Sequence, residues 1–435
     1  MKHLFSFAGL LAVASIGVLA ENWPQFRGPT GNGISQEKRL PLEWSESRNV
    51  TWKTAIHDKG WSSPVIWNGM IWLTTASDDG RKLSVLSLDA ATGKVLRDIP
   101  LFEAVQPDLW KRYNSYASPT PVVARGRVYV SFGAAATACL SSPSGKVLWE
   151  RRDIQCNHFR GAGSSPVLHG KLLFLNFDGS DHQFVVALDA ATGKTVWSKD
   201  RSVDHRDIGP NGKPEADGDM RKAFATCQVA TLGGMEQLIS QGAKAVYGYE
   251  PRTGRELWRV EDRTSHSAGT RPVTGHGLVF VPSGWSQGQT LAIRPGTTGG
   301  FIDVNGTEAS SDPKLGIAWK SKRGTPKKPS LTLVDGLLFG VEDGGVATCW
   351  EAKTGAVLWS ERLGGNYSAS PLAGAGRLYC VGQEGQTVVI AAERTFRKLA
   401  ENRLDKGSMA SPAASDGALF VRTETHLYRL DDRSR

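Results

Sequence analysis

Residues 185–197 read VVALDAATGKTVW, and the role of the TGK at 192–194 decides the fold. A TGK tripeptide belongs either to a phosphate-binding loop or to a tight turn between two strands. A phosphate-binding loop needs the spacing GxxxxGK, followed by Ser or Thr, where a strand leads into a helix. Here no glycine stands at the required upstream distance, and the apolar run after the turn is typical of another strand. The stretch therefore predicts a β-hairpin.

The same pattern recurs along the chain, as LSVLSLDAATGKVLR, TACLSSPSGKVLW, AVYGYEPRTGRELW and VATCWEAKTGAVLW. The turn glycines are separated by 52, 48, 61 and 101 residues, and they are Gly93, Gly145, Gly193, Gly254 and Gly355. The double-length last interval holds a degenerate unit made of TLAIRPGTTGG, a polar insertion and GIAWKSK. Repeats of this length with four short strands each predict a β-propeller.

Three positions of the repeat have a predicted mechanical role. Asp189 caps the turn through its carboxylate, and Gly193 supplies the positive φ of a tight hairpin with a bulge. The indole after the turn is large and flat, and we expect it to wedge between neighbouring blades. In the clearest repeats this residue is Trp149, Trp197, Trp258 or Trp359.

A short segment rich in Ser, Ala, Gly, Thr and Pro precedes each hairpin and predicts the innermost strand of a blade. The eight segments are WSSPVI at 61–66, ASPTPVV at 117–123, GSSPVL at 163–168, FATCQVA at 224–230, AGTRPVTG at 268–275, PSLTLVDG at 329–336, SASPLAG at 368–374 and MASPAASDG at 409–417. Proline is tolerated there because such a strand lines a channel and is not fully paired. We therefore predict an all-β, eight-bladed β-propeller of four-stranded antiparallel blades.

The last unit holds only three strands before the chain ends. NVTWKTAI at 49–56 has the pattern of a fourth strand with no blade before it, so we expect it to join the C-terminal blade and close the ring. The predicted organisation is an irregular strap rich in Gly and Pro at 21–48 and a propeller at 49–435. Residues 1–20 have a cationic start, an apolar run and small residues at the end, which predicts a signal peptide and export to the periplasm or medium.

Composition narrows the range of partners. The formal net charge of +9 is accompanied by no basic run and no RNA-binding motif, so no nucleic-acid partner is predicted. No second apolar stretch is long enough to span a membrane. We expect an exported monomer.

The motifs with known chemistry are absent, incomplete or in the wrong structural context, so they predict no set of catalytic residues. The five cysteines include neither CxxC nor CxxCH. GWSQG at 284–288 matches GxSxG, but a strand follows where the nucleophile elbow needs a helix, so Ser286 is predicted to lie in a hairpin turn. In the insertion 294–316, Asp303 and Asn305 resemble the start of a calcium loop, but acidic ligands at the later positions are missing.

Three histidines lie in predicted connections and are candidate ligand-binding residues. His158 and His182 border the third blade, where they are either a metal-binding pair or ordinary exposed histidines. His205 lies with Arg206 and Asp207 in the insertion 201–222, whose length indicates either a functional or a mobile loop. No metal site is predicted.

Five polar residues lie beside predicted inner strands of different blades and are the main candidates for a ligand site. They are Arg160, Lys222, Arg271, Lys327 and Tyr367. If they converge at one mouth of the axial channel, a cluster of cations with low-dielectric walls attracts an anionic ligand. The alternative is that each side chain hydrogen-bonds carbonyl groups left unpaired where the inner strands splay.

With the SSP segments before it, ALDAATGKTVW resembles the repeat of the PQQ-like propeller superfamily, which includes quinoprotein dehydrogenases and the BamB outer-membrane assembly lipoprotein. The stretches WPQFRGPTGNGIS, DMRKAFATC, GNYSASP and RTETHLYRL further resemble a group of exported PQQ-like repeat proteins. Resemblance to quinoprotein dehydrogenases implies PQQ near the axis with calcium ligands, and in many members adjacent cysteines. This chain has no adjacent cysteines and no recognisable calcium-ligand trio, and the lipidation cysteine of BamB is also missing.

Three functional hypotheses remain after these observations. The first is an exported binding or scaffold propeller without enzymatic activity, for a protein or glycan partner in the cell envelope. The alternative is a PQQ- or metal-dependent oxidoreductase, similar to alcohol or sugar dehydrogenases, with its site at the mouth of the axial channel. A hydrolase or lyase built on the 201–222 loop is a third hypothesis.

Overall fold

The computed structural model describes residues 21–104, 113–285, 288–306 and 312–432. The strands form eight sheets, one for each predicted blade, so the prediction of an eight-bladed propeller is confirmed. The predicted signal peptide at 1–20 and the turn residue Ser286 lie outside the described residues.

The first four blades follow one another along the chain, after an initial strand β1 (Val50–Ala55). Blade 1 is β2 (Val65–Trp67), β3 (Met70–Ala76), β4 (Lys82–Asp89) and β5 (Val95–Glu103). Blade 2 is β6 (Val122–Ala124), β7 (Arg127–Ser131), β8 (Thr137–Ser141) and β9 (Val147–Arg151). Blade 3 is β10 (Val167–His169), β11 (Leu172–Asp178), β12 (Gln183–Asp189) and β13 (Thr195–Asp200). Blade 4 is β14 (Gln228–Leu232), β15 (Met235–Gln241), β16 (Ala245–Tyr249) and β17 (Glu256–Glu261).

The remaining blades contain an interruption and the closure of the ring. Blade 5 is β18 (Val273–Gly275), β19 (Leu278–Pro282), β20 (Thr290–Arg294) and β22 (Gly316–Ser321), with β21 (Phe301–Asp303) inserted before its last strand. Blade 6 is β23 (Thr332–Val334), β24 (Leu337–Val341), β25 (Val346–Glu351) and β26 (Val357–Arg362). Blade 7 is β27 (Leu372–Gly374), β28 (Arg377–Val381), β29 (Gln386–Ala391) and β30 (Lys398–Arg403). Blade 8 is β31 (Ala413–Ser415), β32 (Ala418–Arg422) and β33 (His426–Leu430), completed by β1.

The predicted closure is confirmed. Strand β1 pairs antiparallel with β33, with Thr54 opposite Leu427, and the amide of Asp431 donates to the carbonyl of Asn49 at 3.0 Å. The two ends of the described propeller therefore share one sheet. A closed ring leaves no blade without its fourth strand.

The core lies mainly between adjacent blades. The two central strands of each blade are nearly all buried, as in the pattern of β12, because other blades cover both of their faces. One cluster joins Phe174 of blade 3 to Tyr247 of blade 4, and another joins Leu83 of blade 1 to Val128 of blade 2. Stability of the ring therefore depends on packing between blades as well as within them.

The predicted tryptophans link one blade to the next. The indole of Trp149 in blade 2 donates to the carbonyl of Ala190 in the turn of blade 3 at 3.1 Å. A Cβ atom at Gly193 would lie 2.7 Å from this ring, and Gly193 has a φ of +74°, so both the contact and the conformation favour glycine. Equivalent indole bonds to the next turn are made by Trp52, Trp197, Trp319 and Trp359.

Trp258 departs from this arrangement. It is fully buried, and its indole donates to Gln237 of its own blade at 2.7 Å instead of to a carbonyl of the next turn. The insertion 294–316 replaces that turn, and its strand β21 pairs in parallel with β17 as a fifth strand of blade 4. The tryptophan is thereby enclosed between blades 4 and 5, where it packs with Leu257 and Val279.

The segment at 21–48 crosses one end of the channel without forming a regular strand. Trp23 exchanges backbone hydrogen bonds with Ile66 of blade 1, and the Phe26 carbonyl accepts from Arg271, which precedes the inner strand of blade 5, so the segment contacts opposite sides of the ring. In the described part of the chain, no helix has the length and apolar character that a membrane crossing requires.

Candidate functional site

A ring of side-chain hydroxyl groups surrounds the channel just before the inner strands. Seven backbone amides donate, at 2.9 to 3.1 Å, to the hydroxyl of the corresponding residue in the following blade. These acceptors, which we call the hydroxyl ring, are Ser63, Thr120, Ser165, Thr226, Ser330, Ser370 and Ser411. Proline directly follows five of them, which keeps the backbone extended and leaves no further amide to satisfy.

The ring is interrupted where Arg271 occupies the corresponding position in blade 5. Its guanidinium turns towards the 21–48 segment and donates to the carbonyl of Phe26 at 2.6 Å and to Gln228 at 2.7 Å. Phe26 lies at the floor of the axial channel, so Arg271 fastens the segment that closes this end. The other end, formed by the residues before the ring, remains open.

A cavity of about 540 Å³ occupies this open end. Its walls carry large apolar side chains, namely Trp61, Tyr113, Met220, Phe224, Trp285 and Met409. Its floor consists of Phe26 and six members of the hydroxyl ring, all except Ser330. The cavity thus combines flat aromatic surfaces with closely spaced polar groups, a combination typical of binding sites for small polar ligands.

The insertion 201–222 supplies one side of the cavity. Its short 3-10 helix Glu215–Arg221 places Asp219 and Met220 in the wall. Gly218 approaches the Ser180 carbonyl so closely that a Cβ atom would lie 2.1 Å from the oxygen, which allows the insertion to pack against blade 3. An ion pair between Arg221 and Asp207 holds the insertion together.

Charged groups converge on Asp219. Arg160 Nη2 lies 2.9 Å from one carboxylate oxygen, and the ammonium of buried Lys222 contacts the other. The loop that carries Arg160 is fixed by Asn114, whose amide donates to the Arg160 carbonyl at 2.9 Å. His266 also lines the cavity, and burial, together with Lys222, Lys244 and Arg160, lowers its pKa.

A second cavity of about 340 Å³ adjoins the first and shares Tyr113, Trp285 and Lys328 with it. The rings of Tyr113 and Trp285 meet edge to face, with centroids 6.0 Å apart, and form a ridge between the two cavities. Lys328 lies over the Tyr113 ring and Lys327 over the Trp285 ring, each at 4.8 Å, which is cation–π geometry. The two cavities therefore lie next to each other, on either side of this ridge.

The five predicted channel residues therefore do not form one cluster. Arg160 lines the axial cavity, Lys222 lies behind it against Asp219, and Lys327 lines the second cavity. Arg271 points to the opposite end, and Tyr367 is fully buried in the core between blades 6 and 7. Arg271 donates to one backbone carbonyl, that of Phe26 in the 21–48 segment, and to the side chains of Gln25 and Gln228.

The predicted histidines stand apart from the cavity. His158 contacts Phe177, and His182 contacts Phe184, so that two stacked phenyl rings separate the imidazoles. His158 lies 3.4 Å from Cys156 Sγ, and burial lowers its pKa to about 4. His205 is half-buried within the insertion, where burial and Arg221 lower its pKa to about 4. Among the described residues, no three His, Cys, Asp or Glu side chains are grouped as a metal site requires.

At the Asp303–Asn305 pair, a lysine ammonium contacts two of the loop's oxygen atoms. Lys320 Nζ donates to the Val304 carbonyl at 2.9 Å and to Asn305 Oδ1 at 3.1 Å. An ammonium group is present among these oxygen atoms, so they are engaged in protein contacts. The insertion's main structural contribution is the extra strand of blade 4.

Reasoning from the sequence missed Asp219, His266 and the aromatic walls. Asp219 lies in the insertion 201–222, but nothing in its local sequence distinguishes it from its acidic neighbours. A recurring Ser-Pro or Thr-Pro before the inner strands was visible, and it marks most of the hydroxyl ring.

The family model described as outer membrane protein assembly factor BamB matches residues 97–226 and 312–423, which together make up more than half of the chain. This chain belongs to that family. The repeats of this BamB-family protein are accordingly of the PQQ-like type. No curated protein has a sequence that matches the chain.

Solved structures with the same fold include an enzyme and a BamB protein. The quinohemoprotein alcohol dehydrogenase of Comamonas testosteroni gives a TM-score of 0.66 at 14% identity, covering 95% of this chain and 81% of the enzyme. BamB of Moraxella catarrhalis gives 0.58 at 10% identity, covering 89% of this chain and 98% of that protein. At such identities the likeness shows the fold alone.

The cavity does not fit PQQ held by calcium. Calcium takes six to eight oxygen ligands and is normally held by several carboxylates. Asp219 is the one carboxylate among the described cavity-lining residues, and Arg160 and Lys222 already occupy its oxygens. No step of a quinoprotein reaction is therefore assigned to these residues.

Proposed function

We propose that this BamB-family propeller is an exported, monomeric binding module that holds a glycan of the cell envelope in the axial cavity. The observation that supports it is the combination of aromatic walls and a hydroxyl floor in one cavity of about 540 Å³. Sugars offer apolar C–H faces that stack on aromatic rings, and hydroxyl groups that exchange hydrogen bonds with polar side chains. Export is supported by the N-terminal sequence and by the family description.

Trp61 is suited to a stacking role. It lines the cavity, is partly exposed, and has no ring contact with another aromatic side chain in the described structure. Its position is fixed from the backbone, because its amide donates to Ala117 at 3.1 Å. Side-chain truncation at Trp61 therefore removes part of the cavity wall without removing a contact between aromatic rings.

The test is a glycan-array screen of the purified protein, followed by calorimetry with the best ligand. Trp61→Ala is expected to weaken binding about tenfold or more, equivalent to about 1.4 kcal/mol. The exposed rim variant Val196→Ala is the control and is expected to bind as the unmodified protein does. Absence of binding to every glycan, or full affinity in Trp61→Ala, would contradict the proposal.

A protein partner is the second candidate, supported by the family description and by the rim of the propeller. Outer strands of four blades expose apolar side chains, namely Val95, Leu96, Leu148, Val196 and Val357. Leu148→Glu combined with Val196→Glu would abolish capture of a rim-bound protein and leave glycan binding unchanged. Trp61→Ala would have the reverse effect, so the two variants separate the candidates.

A further inference from the structure

The hydroxyl ring has unused hydrogen-bond donors. Each hydroxyl oxygen accepts a backbone amide, but within the described structure no acceptor is found for the hydroxyl hydrogens themselves. Accepting one hydrogen bond polarises an O–H group and strengthens it as a donor. The ring residues are buried, and six of them line the cavity. The floor is therefore an array of polarised donors that lacks its acceptor.

Buried positive charge surrounds this floor. Arg422 donates to the carbonyl and hydroxyl of Ser62, Arg271 lies in the gap of the ring, and Arg27 donates to Thr332 two residues after Ser330. In the described chain none of the three arginines is paired with a carboxylate. Burial lowers their pKa values to about 9 or 10, which leaves them protonated at neutral pH.

The rim of the cavity adds further cations. Arg160 and Lys328 line it; Arg160 and Lys222 share its one described carboxylate, Asp219, and Lys328 pairs with Asp343 of the second cavity at 3.2 Å. A carboxylate accepts several hydrogen bonds at once, and bonds from neutral donors to a charged acceptor are stronger than neutral pairs. Donors, charge and aromatic walls thus point to one ligand group, a carboxylate attached to a sugar.

We propose that the hydroxyl ring binds the carboxylate of an acidic oligosaccharide, whose chain leaves the axial cavity over the Tyr113–Trp285 ridge into the second cavity. This inference rests on the proposed glycan-binding function and specifies the charge and length of the ligand. An oligosaccharide is favoured over a single sugar because the two cavities adjoin and share three lining residues.

The first experiment changes the ligand and leaves the protein unaltered. Binding of oligogalacturonate tetramers is compared by calorimetry with binding of their methyl esters, which keep the sugar chain and replace each charged carboxylate by a neutral ester. We expect the acid to bind at least tenfold more tightly and its affinity to fall with added salt. Equal affinity for acid and ester would overturn the inference while leaving the glycan-binding function intact. Failure of all glycans would overturn the function itself.

Two further ligands test chain length and source of charge. Galacturonic acid monomer is expected to bind at least tenfold more weakly than the tetramer, and acetate is expected to compete only at far higher concentration. If acetate or the monomer bound as tightly as the tetramer, the ring would be a general anion site and the oligosaccharide assignment would be wrong.

The second experiment removes one ring donor. Thr120→Val keeps the shape of the side chain and loses the hydroxyl, whereas the control Thr120→Ser keeps the hydroxyl. Thr120→Val is expected to weaken acid binding about tenfold and to leave ester binding within twofold. An equal loss for acid and ester would indicate a structural role and contradict the inference. Thr226→Val with Thr226→Ser repeats the test on another blade if Thr120→Val fails to fold.

Discussion

Side chains of the same type have different structural roles in this propeller, as two aspartates of blade 3 illustrate. Asp189 and Asp178 both end strands of blade 3. Asp189 is a local turn cap, accepting from the amide and hydroxyl of Thr192 at 2.9 and 2.7 Å. Asp178 is fully buried and forms two hydrogen bonds of 2.8 Å with Arg201. The first contact is readable from sequence spacing, whereas the second joins the end of β11 to the residue after β13 and forms only when blade 3 is folded.

We expect Asp178→Ala to destabilise the protein by about 3–5 kcal/mol, because it leaves the Arg201 guanidinium buried without its partner. Asp200→Ala is the control: that carboxylate is exposed and pairs only with surface His182, so its loss is expected to cost less than about 1 kcal/mol. Thermal unfolding followed by circular dichroism measures both. Similar midpoints for the two variants would contradict a structural role for the buried pair.

His158 is expected to make the protein sensitive to acid. Burial lowers its pKa to about 4, below the ordinary value of about 6.5 that applies in the unfolded chain. Between these values the unfolded chain binds a proton that the folded chain does not, so stability falls as pH falls from about 6.5 to 4. The loss attributable to His158 is at most about 3 kcal/mol.

His158→Phe is expected to remove this contribution, since a phenyl ring suits the contact with Phe177 and cannot be protonated. Unfolding midpoints measured from pH 7 to 4 should decline less steeply in the variant than in the unmodified protein. His169→Phe, at an exposed histidine that pairs with Glu236, is the control. Parallel pH profiles for His158→Phe and the unmodified protein would show that another group is responsible.

Among the secondary-structure elements, the repeating unit is a hairpin whose turn packs against the indole of the preceding blade. Glycine is required in that turn for two separable reasons, the backbone conformation and the space taken by the ring. Where no tryptophan precedes, as between blades 1 and 2, Ile99 lies against Gly145 in its place. The junction therefore tolerates a change of side chain as long as an apolar group fills the same space.

A double-mutant cycle separates the two reasons. Gly193→Ala is expected to cost about 1–2 kcal/mol for its positive φ, plus a further cost from the clash with Trp149. In the background of Trp149→Ala the clash is absent, so the measured cost of Gly193→Ala should be smaller. The pair Gly193→Ala and Trp359→Ala, on distant blades, should be additive within about 0.5 kcal/mol. Additivity in the first cycle would mean that the indole does not constrain the turn.

For the whole molecule, closure of the ring depends on a pairing between its two ends. Strand β1 completes blade 8, and blade 8 in turn packs on blades 7 and 1. The hydroxyl ring crosses the same junction, because the amide of Ser411 donates to Ser63 at 3.1 Å. Loss of β1 therefore exposes a strand edge and also loosens the floor of the cavity.

We expect residues 57–432 alone to lack a cooperative thermal transition, since blade 8 would have no outer strand. Appending residues 49–56 after residue 432 through a two-glycine turn should restore cooperative unfolding, because Asp431 and Asn49 are already hydrogen-bonded neighbours. A scrambled 49–56 sequence at the same position is the control. Equal melting of all three chains would show that β1 is dispensable for closure.

The sequence by itself determined the number of blades, the hairpins and the manner of closure. These features follow from short-range rules, since turn residues, strand alternation and spacing are each written within a few positions of one another. Trp258 is the informative exception, because the strand that encloses it comes from an insertion whose pairing with blade 4 has no local signal.

Only the tertiary structure decided the site. Trp61, Arg160, Asp219 and Trp285 come from connections of different blades, and they meet only because the ring brings the same end of each blade to one axis. The donors of the hydroxyl ring were visible as a recurring Ser or Thr before Pro, but their unused hydrogens became apparent only with the amides of adjacent blades in place. Residues far apart in the chain converge because the ring of blades closes, and the local sequence does not encode this convergence.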